Sequence, residues 1–326
     1  FGRIGRIFFR IAFGQPNIDI VALNDLSDTQ NLAYLLKYDT VYGRYNKSVE
    51  VKDDKLVVDG KEILVFKETD PSKLPWKDLD IDVVVESTGV FTEFEKAKAH
   101  LTAGAKRVVI TAPTKDEITS HFTPGLEDLG KIYSLGEQGL ITSNASCTTN
   151  SVNPVIAILN EAIGVKKAIL TTIHAYTNTQ AIVDSVVKGH DFRRGRAGAQ
   201  NIIPSTTGAA EATARVISEM KGKFDGISIR VPVVTDITLI TQRPTTVEEI
   251  NNIFKNAAQS ERWKEVIKVV EDPVVSSDII GEPYGAVIDL TLTKVVDGDL
   301  VKVFSWYDNE WGYCAMLLKH IQKILR

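Results

Sequence analysis

Cysteine is scarce in this sequence, which has only two, Cys147 and Cys314, among 326 residues. Two cysteines cannot form the disulfide framework typical of small secreted domains, so the composition favours a reducing compartment. The sequence also lacks an apolar run long enough to cross a bilayer, and no charged-then-apolar leader precedes the first domain. We therefore predict a cytoplasmic protein with no membrane partner.

A surplus of positive charge is absent as well. The chain carries 38 Lys and Arg against 42 Asp and Glu, a net charge of −4, whereas nucleic-acid binding usually requires a basic footprint. We therefore predict no nucleic-acid partner. Internal repeats and low-complexity linkers are also absent, and the length exceeds what one core usually supports, which favours two globular domains.

The first half of the chain alternates short β-branched runs with helical patterns, which is typical of a parallel sheet. Its predicted strands are 18–23, 83–85, 107–111 and 141–143. The second half has longer strands, predicted at 167–172, 226–234, 237–242 and 285–293, which fit a mixed sheet with helices on one face. A closing helix is predicted at 310–326.

These patterns predict an α/β fold. The first domain, 1–146 with 311–326, would be a doubly wound parallel sheet of the Rossmann type. The second, 147–310, would be an α+β domain with a mixed or antiparallel sheet.

Cys147 lies in the polar stretch SNASCTTN at 143–150, the most informative part of the sequence. Apolar residues follow at helical spacing, at Val152, Ile156, Leu159 and Ile163, with Pro154 expected in the first turn. Cys147 is therefore expected at a helix N-terminus, where backbone N–H groups and the helix dipole lower the pKa of a thiol. The alternative is a small buried residue with no chemistry.

His174 follows the predicted strand after that helix. A helix leading away from Cys147 and a strand returning would bring His174 to the same edge, within reach of the thiol as a base. A purely structural histidine at the strand end is the alternative.

The opening segment Gly2-Arg3-Ile4-Gly5 precedes a predicted strand that ends near Asp25. This spacing fits the dinucleotide fingerprint, in which glycines admit the pyrophosphate and the carboxylate binds the adenosine ribose. Asp25 would repel a 2′-phosphate and so favours NAD over NADP. A helix-start turn and a strand-end cap are the alternatives.

Two further segments could bind polar groups. The segment 192–196, FRRGR, and the segment 205–208, STTG, combine guanidinium, hydroxyl and backbone groups suited to an anion, with Thr177 and Arg230 as a second set. Asn309 lies among aromatic residues and could bind a planar carboxamide. For the arginines, the alternative is a solvated face or a subunit contact. For the segment around Asn309, the alternative is an aromatic core cluster.

Together these residues resemble the phosphorylating glyceraldehyde-3-phosphate dehydrogenase family over nearly the whole chain, and SNASCTTN is highly specific to it. The resemblance implies Cys147 as nucleophile, His174 as general base and Asn309 as the anchor of the nicotinamide carboxamide. The residues implied for the dinucleotide are Gly2, Arg3, Ile4, Asp25, Ser87, Thr88 and Gly89. Those implied for the substrate phosphate are Thr177, Thr179 and Arg230, and those for inorganic phosphate are Ser146, Thr148, Arg194, Thr207 and Gly208.

The reaction implied is the NAD-dependent conversion of glyceraldehyde 3-phosphate and inorganic phosphate to 1,3-bisphosphoglycerate through a cysteine thioester. The resemblance also implies a homotetramer with subunit contacts from the loop at 176–200, and no metal. Two alternatives remain: an erythrose-4-phosphate dehydrogenase that releases the acid by hydrolysis, and a catalytically silent dinucleotide-binding scaffold.

The chain departs from the family pattern in three places. It lacks the first glycine and the opening strand, and because that strand is central to the sheet we expect a truncated sequence. The segment between Arg230 and Asp236 is a few residues short, which would alter a strand beside the substrate site or mark unrecorded residues. The segment 185–190 lacks the Leu-Pro or Gly-Pro of many NAD-preferring members, which weakens the preference that Asp25 favours.

Overall fold

A computed structural model describes residues 1–187, 190–231 and 234–325, and the chain divides into two compact units. Unit 1 comprises Phe1–Phe122, Glu127–Ala145 and Leu317–Arg326, and unit 2 comprises Thr123–Leu126 and Ser146–Met316. The predicted domains, 1–146 with 311–326 and 147–310, have similar bounds but stay a prediction.

Unit 1 contains short strands interleaved with helices. Its elements are α1 (Arg3–Ala12), β1 (Ala22–Asn24), α2 (Thr29–Lys37), β2 (Tyr38–Asp39), β3 (Gly43–Arg44), β4 (Val49–Lys52), β5 (Lys55–Val58), β6 (Lys61–Phe66), β7 (Val83–Glu86), α3 (Phe94–Thr102), β8 (Arg107–Ile110), β9 (Ser120–His121), α4 (Leu129–Ser134) and β10 (Ile141–Ser143). The larger strands form two sheets, in the orders β1-β6-β5-β4 and β7-β8-β10-β9, and every pair in the second is parallel.

The strand predicted at 18–23 is wrong in its extent. Its ladder with β6 spans only Ala22–Asn24, and that pairing is parallel. The predicted strands at 83–85, 107–111 and 141–143 are confirmed to within one residue.

Unit 2 is built on one seven-stranded mixed sheet. Its elements are α5 (Cys147–Ile163), β11 (Val165–His174), β12 (Ile203–Thr206), α6 (Ala209–Val216), β13 (Phe224–Arg230), β14 (Val234–Thr241), α7 (Val247–Gln259), β15 (Ile267–Val270), β16 (Ala286–Val296), β17 (Leu300–Trp306) and the first part of α8 (Trp311–Ile324), which continues into unit 1. The strand order is β12-β13-β11-β14-β17-β16-β15. The pairs β13–β11 and β16–β15 are parallel and the other pairs antiparallel, so the predicted mixed sheet is confirmed.

The core of unit 2 lies between the helices and this sheet. Residues Val152, Ile156 and Leu159 of α5 pack in one apolar cluster with Leu170 of β11, whereas its neighbour Ile169 is exposed. Since successive side chains of a strand point to opposite faces, one face of the sheet is covered and the other stays open. The single strand predicted at 226–234 is wrong, because β13 ends at Arg230 and β14 begins at Val234; Pro232 and Val233 lie outside the described residues.

The prediction for Pro154 is also wrong, since it lies inside α5 and not in its first turn. Proline has no N–H for the carbonyl of Asn150, one helical turn earlier. Gly285 lies against that carbonyl, and a Cβ there would come within 2.9 Å of it. The helix therefore accommodates the proline where a neighbouring glycine leaves room for the backbone.

In the described part of the chain, no helix combines the length and the apolar character that crossing a membrane requires.

Candidate active site

Cys147 is the first residue of α5, as predicted. The preceding Ser146 is the N-cap, and its side chain accepts a hydrogen bond from the backbone N–H of Thr149 at 3.0 Å. This cap fixes where the helix starts and therefore where the thiol lies.

The structure brings Cys147 and His174 together. His174 ends β11, and its Nε2 lies 3.3 Å from Cys147 Sγ. The parallel register of β11 and β13 places His174 opposite Arg230, whose guanidinium nitrogen lies 2.9 Å from His174 Nδ1. One sheet edge therefore holds a thiol, an imidazole and a permanent positive charge.

Burial dominates the electrostatics of this edge. It raises the pKa of the Cys147 thiol by more than the hydrogen bonds at the helix start and the charge of Arg230 lower it. The predicted lowering is therefore wrong, because the sequence pattern shows the helix terminus but not the enclosure around it. Burial and the charge of Arg230 lower the pKa of His174 to about 4, so burial favours the uncharged form of both groups.

His174 Nδ1 has two neighbours that require different tautomers. It lies 2.7 Å from the carbonyl oxygen of Ala175, to which it can donate only when protonated, and it can accept from Arg230 only when not. The first tautomer leaves the lone pair of Nε2 facing Cys147 Sγ, as a base requires. The second directs an N–H at the sulfur.

Tyr307, which the sequence interpretation did not single out, follows directly after β17 and joins this edge. Its hydroxyl lies 3.0 Å from Thr148 Oγ1 and 2.8 Å from Thr172 Oγ1, and its ring meets that of His174 at 5.9 Å. Burial raises its pKa, so the phenol keeps its proton. Tyr307 thus links the first turn of α5 to the end of β11, a contact that no local pattern could indicate.

The predicted anion-binding residues lie around the same sheet. The hydroxyls of Thr177 and Thr179 are 3.0 Å apart in the loop after β11. Arg194 donates hydrogen bonds to Asp191 and Ser205, at 3.1 Å and 3.0 Å. Burial lowers the pKa of Arg230 most, and the positive charge of Arg194 lowers it further.

Two more of the five residues predicted for inorganic phosphate, Thr207 and Gly208, lie at the start of α6. Thr207 Oγ1 accepts from the backbone N–H of Ala209 at 3.2 Å, and Gly208 is the N-cap. Asp191 was not predicted; it orders Arg194 from within the same loop.

In unit 1 the residues predicted to bind the dinucleotide lie around the start of α1. Gly2 is its N-cap without a side-chain cap, and no atom lies within 4 Å of a Cβ built there. A Cβ on Gly5 would come within 3.1 Å of Ser87 Oγ, so the missing side chain lets the helix approach the Ser87-Thr88-Gly89 turn. This glycine-lined helix start fits a dinucleotide pyrophosphate.

Three other predicted cofactor residues have partners of their own. The carboxylate of Asp25 accepts from the N–H of Ser27 at 2.8 Å. A carboxylate at this strand end fits the ribose site that the sequence predicts. The guanidinium of Arg3 pairs with Asp39. In the predicted dinucleotide site, Arg3 and Ile4 would therefore bind through their backbone groups at the start of the helix.

Asn309 lies between β17 and α8 and is half-buried. The preceding Asp308 accepts from the N–H groups of Glu310 and Trp311, at 2.9 and 2.8 Å, which fixes the backbone around the amide. Of the segment 185–190, which lacks the family's usual proline, Lys188 and Gly189 lie outside the described residues.

A thiol beside an imidazole at one sheet edge, in a chain whose other unit carries part of the dinucleotide fingerprint, fits the class of cysteine-dependent dehydrogenases. Comparison with known proteins gives the family. Residues 1–94 match the family model described as the glyceraldehyde 3-phosphate dehydrogenase NAD binding domain, and residues 146–309 match that of the C-terminal domain. The chain belongs to the glyceraldehyde-3-phosphate dehydrogenase family.

Curated relatives agree over nearly the full length. The chain is 50% identical over 332 residues to a glyceraldehyde-3-phosphate dehydrogenase of Thermotoga maritima, covering 100% of this chain and 97% of the relative. It is 48% identical over 330 residues to that of Clostridium pasteurianum, covering 99% and 96%. These findings confirm the predicted family, the α/β fold class, the NAD-dependent oxidoreductase class and NAD as cofactor.

Proposed function

We propose that the protein oxidises D-glyceraldehyde 3-phosphate with NAD and inorganic phosphate to give 1,3-bisphosphoglycerate. The observation that carries the proposal is the 3.3 Å approach of Cys147 Sγ to His174 Nε2 at an edge that also holds Arg230. A thiol that must attack a carbonyl needs a neighbouring group that can take a proton, and a phosphorylated aldehyde needs a cation.

The first step is addition of Cys147 to the aldehyde. The Sγ–C1 bond forms, the C1–O double bond becomes single, and the proton that leaves the thiol ends on that oxygen, giving a thiohemiacetal. His174 carries this proton through Nε2. Because burial favours the uncharged form of both groups, the enclosed site need not stabilise a separated thiolate and imidazolium before substrate arrives.

In the second step His174 takes the hydroxyl proton of the thiohemiacetal while hydride leaves C1, so that a thioester remains on Cys147. Bound NAD supplies the hydride acceptor, which no side chain of this chain can replace. Asn309 would orient the nicotinamide carboxamide, and Gly2, Asp25 and the Ser87-Thr88-Gly89 turn would hold the dinucleotide.

In the third step inorganic phosphate attacks the thioester carbon. The new C–O bond forms and the C–S bond breaks, and the leaving sulfur takes the proton that His174 gained in the second step. The thiol of Cys147 and the neutral His174 are thereby regenerated, the proton of the attacking phosphate passes to water, and an acyl phosphate is the product. Arg194, Thr207, Gly208 and the Ser146–Thr148 turn would hold the attacking phosphate, and Thr177, Thr179 and Arg230 the substrate's own. Holding both reactants in place avoids an entropic cost of several kcal/mol, up to about 7–11 at best.

We propose further that the protein is a homotetramer. The loop at 176–200 exposes large apolar side chains, with Val186 99% and Ile182 90% exposed, and the open face of the unit 2 sheet exposes Ile169 and Ile227. Apolar exposure of this extent favours burial against other copies of the chain. Sedimentation-equilibrium measurement of the molecular mass tests this; a monomer at micromolar concentration would contradict it.

A cytoplasmic location and the predicted division into an NAD-binding and a catalytic domain belong to the same proposal. Cys147 and Cys314 form no disulfide bond with each other, as expected in a reducing compartment. Secretion of the protein by its native cell would contradict the location. Limited proteolysis that cuts inside either predicted domain before it cuts near 146/147 or 310/311 would contradict the domains.

The activity is tested by mixing the purified protein with glyceraldehyde 3-phosphate and NAD, with and without inorganic phosphate, and following reduced nicotinamide by its absorbance. We expect phosphate-dependent turnover that is lost in Cys147→Ala. Cys314→Ala, which changes the other, fully buried cysteine of α8, is the matched control and should keep the activity.

The other outcomes identify the alternatives. Sustained turnover without phosphate, with preference for erythrose 4-phosphate, would indicate the hydrolysing relative. NAD binding without turnover in the unaltered protein would indicate a dinucleotide-binding scaffold.

A further inference from the structure

Glu86 is a buried carboxylate at the end of β7, with 4% of its surface exposed. A buried charge is costly unless hydrogen bonds compensate for the lost water. Glu86 receives three. The backbone N–H of Thr88 donates to Oε1 at 2.7 Å, the hydroxyl of Thr88 donates to the same oxygen, and His100 Nε2 lies 2.9 Å from Oε2.

His100, on α3, is equally buried and has a second partner. The indole N–H of Trp76 donates to His100 Nδ1 at 3.1 Å. Because an indole nitrogen only donates, Nδ1 must be the acceptor, so the ring proton resides on Nε2 and points at Glu86. The hydrogen bonds therefore run in one direction, from Trp76 through His100 to Glu86.

Thr88 connects this series to the turn that follows β7. Its hydroxyl accepts from the N–H of Val90 at 3.1 Å, and Gly89 takes a left-handed φ of +73°. Ser87 lies against Gly5 at the start of α1. The exposed Ser87–Gly89 turn is thus held from the interior of unit 1, by the buried carboxylate beneath it.

We propose that Glu86, His100 and Trp76 form a relay that positions the Ser87–Gly89 turn for the dinucleotide, so that affinity for NAD depends on side chains that do not contact it. Glu86 acts through both polar groups of Thr88, His100 fixes Glu86, and Trp76 fixes the tautomer of His100. The three are positioning residues, and the inference rests on the cofactor role proposed for the turn.

The test measures the Kd of NAD by titration calorimetry, and KM for NAD and kcat by steady-state kinetics, in four proteins and a control. The variants are Glu86→Gln, His100→Gln and Trp76→Phe, beside the unaltered chain. The control is His320→Gln, because His320 is also fully buried in unit 1, stacks on Phe122 and lies 2.9 Å from Thr142 Oγ1, but has no part in the relay.

We expect Glu86→Gln and His100→Gln to weaken NAD binding roughly 10-fold or more, as loss of a charge-assisted hydrogen bond predicts, and Trp76→Phe about 3-fold. KM for NAD should rise in parallel, while kcat at saturating NAD and KM for the aldehyde stay within about 2-fold. His320→Gln should lower the melting temperature and leave the Kd of NAD unchanged.

Several results would overturn the relay. Relay variants that bind NAD like the unaltered protein show that the turn holds its shape without them. Equal weakening in His320→Gln shows a general loss of stability. Trp76→Phe keeps the ring and removes only the N–H, so it tests the relay even if a charge variant fails to fold. An unaltered protein that binds no NAD contradicts the proposed function itself.

Discussion

The edge that holds Cys147 in unit 2 and the turn that follows β7 in unit 1 are built in opposite ways. His174 is 5% and Tyr307 1% exposed, whereas Thr88, Gly89 and Val90 are exposed at the surface. Groups that make and break bonds gain from exclusion of water and from fixed neighbours. A turn that binds and releases a cofactor must remain accessible, and its shape is then set by buried side chains beneath it.

The comparison extends to charge. In unit 2 burial favours the uncharged forms of the thiol, the imidazole and the phenol beside the charge of Arg230. In unit 1 the carboxylates of Asp25 and Glu86 accept hydrogen bonds near the edge proposed for the dinucleotide. On the roles proposed above, reactivity at the first edge depends on proton positions, and recognition at the second on fixed anions.

The largest expected effect that tests this contrast is that of His174→Asn. Asparagine can hydrogen-bond but cannot take a proton, so we expect kcat to fall about 10²–10⁴-fold, while Cys147 remains open to alkylation by iodoacetamide. Rapid-mixing measurement of reduced nicotinamide in the first turnover checks the assignment. An unchanged rate would remove His174 from the role of base.

Tyr307→Phe should have an intermediate effect. It removes the hydroxyl that bridges Thr148 and Thr172, both buried, and should lower the free energy of unfolding by about 1–3 kcal/mol. Urea denaturation measures this. Tyr133→Phe is the control, because that hydroxyl makes one 3.4 Å bond on a partly exposed ring. Equal losses in the two variants would show that Tyr307 is an ordinary core residue.

Asp25→Ala should have the smallest effect. Removing the carboxylate removes the repulsion of a 2′-phosphate, so we expect the ratio of kcat/KM for NAD to that for NADP to fall roughly 10-fold, the scale of one charged contact. Asp19→Ala is the control, since that carboxylate is exposed and pairs with Lys61. If the ratio does not move, Asp25 is only a strand-end cap that accepts from the N–H of Ser27.

Local patterns predicted the elements that carry the chemistry. The apolar spacing from Val152 to Ile163 gave α5, and its connection to the next strand brought His174 to the thiol without any alignment of relatives. Both inferences depend on residues close in sequence, where helix and strand periods restrict what the chain can do.

What escaped prediction depends on distant parts of the chain. Tyr307 meets Thr148 from 159 positions away in the sequence. His100 of α3 bonds both to Glu86 at the end of β7 and to Trp76. The pKa of Cys147 was predicted in the wrong direction because enclosure is a property of the folded unit and not of the helix start. Such contacts are set by packing, for which a single sequence carries no local signal.

The two neighbours of His174 Nδ1 have a consequence for the choice of substrate. On the roles proposed here, a phosphorylated aldehyde draws the guanidinium of Arg230 to its phosphate, and Nδ1 then keeps its proton for the Ala175 carbonyl. With a short aldehyde that has no phosphate, the Arg230 guanidinium keeps donating to His174 Nδ1. Nε2 then carries the ring proton and directs an N–H at Cys147 Sγ, where a base needs a lone pair. We therefore expect such compounds to have a low kcat, even where they fit the site and bind.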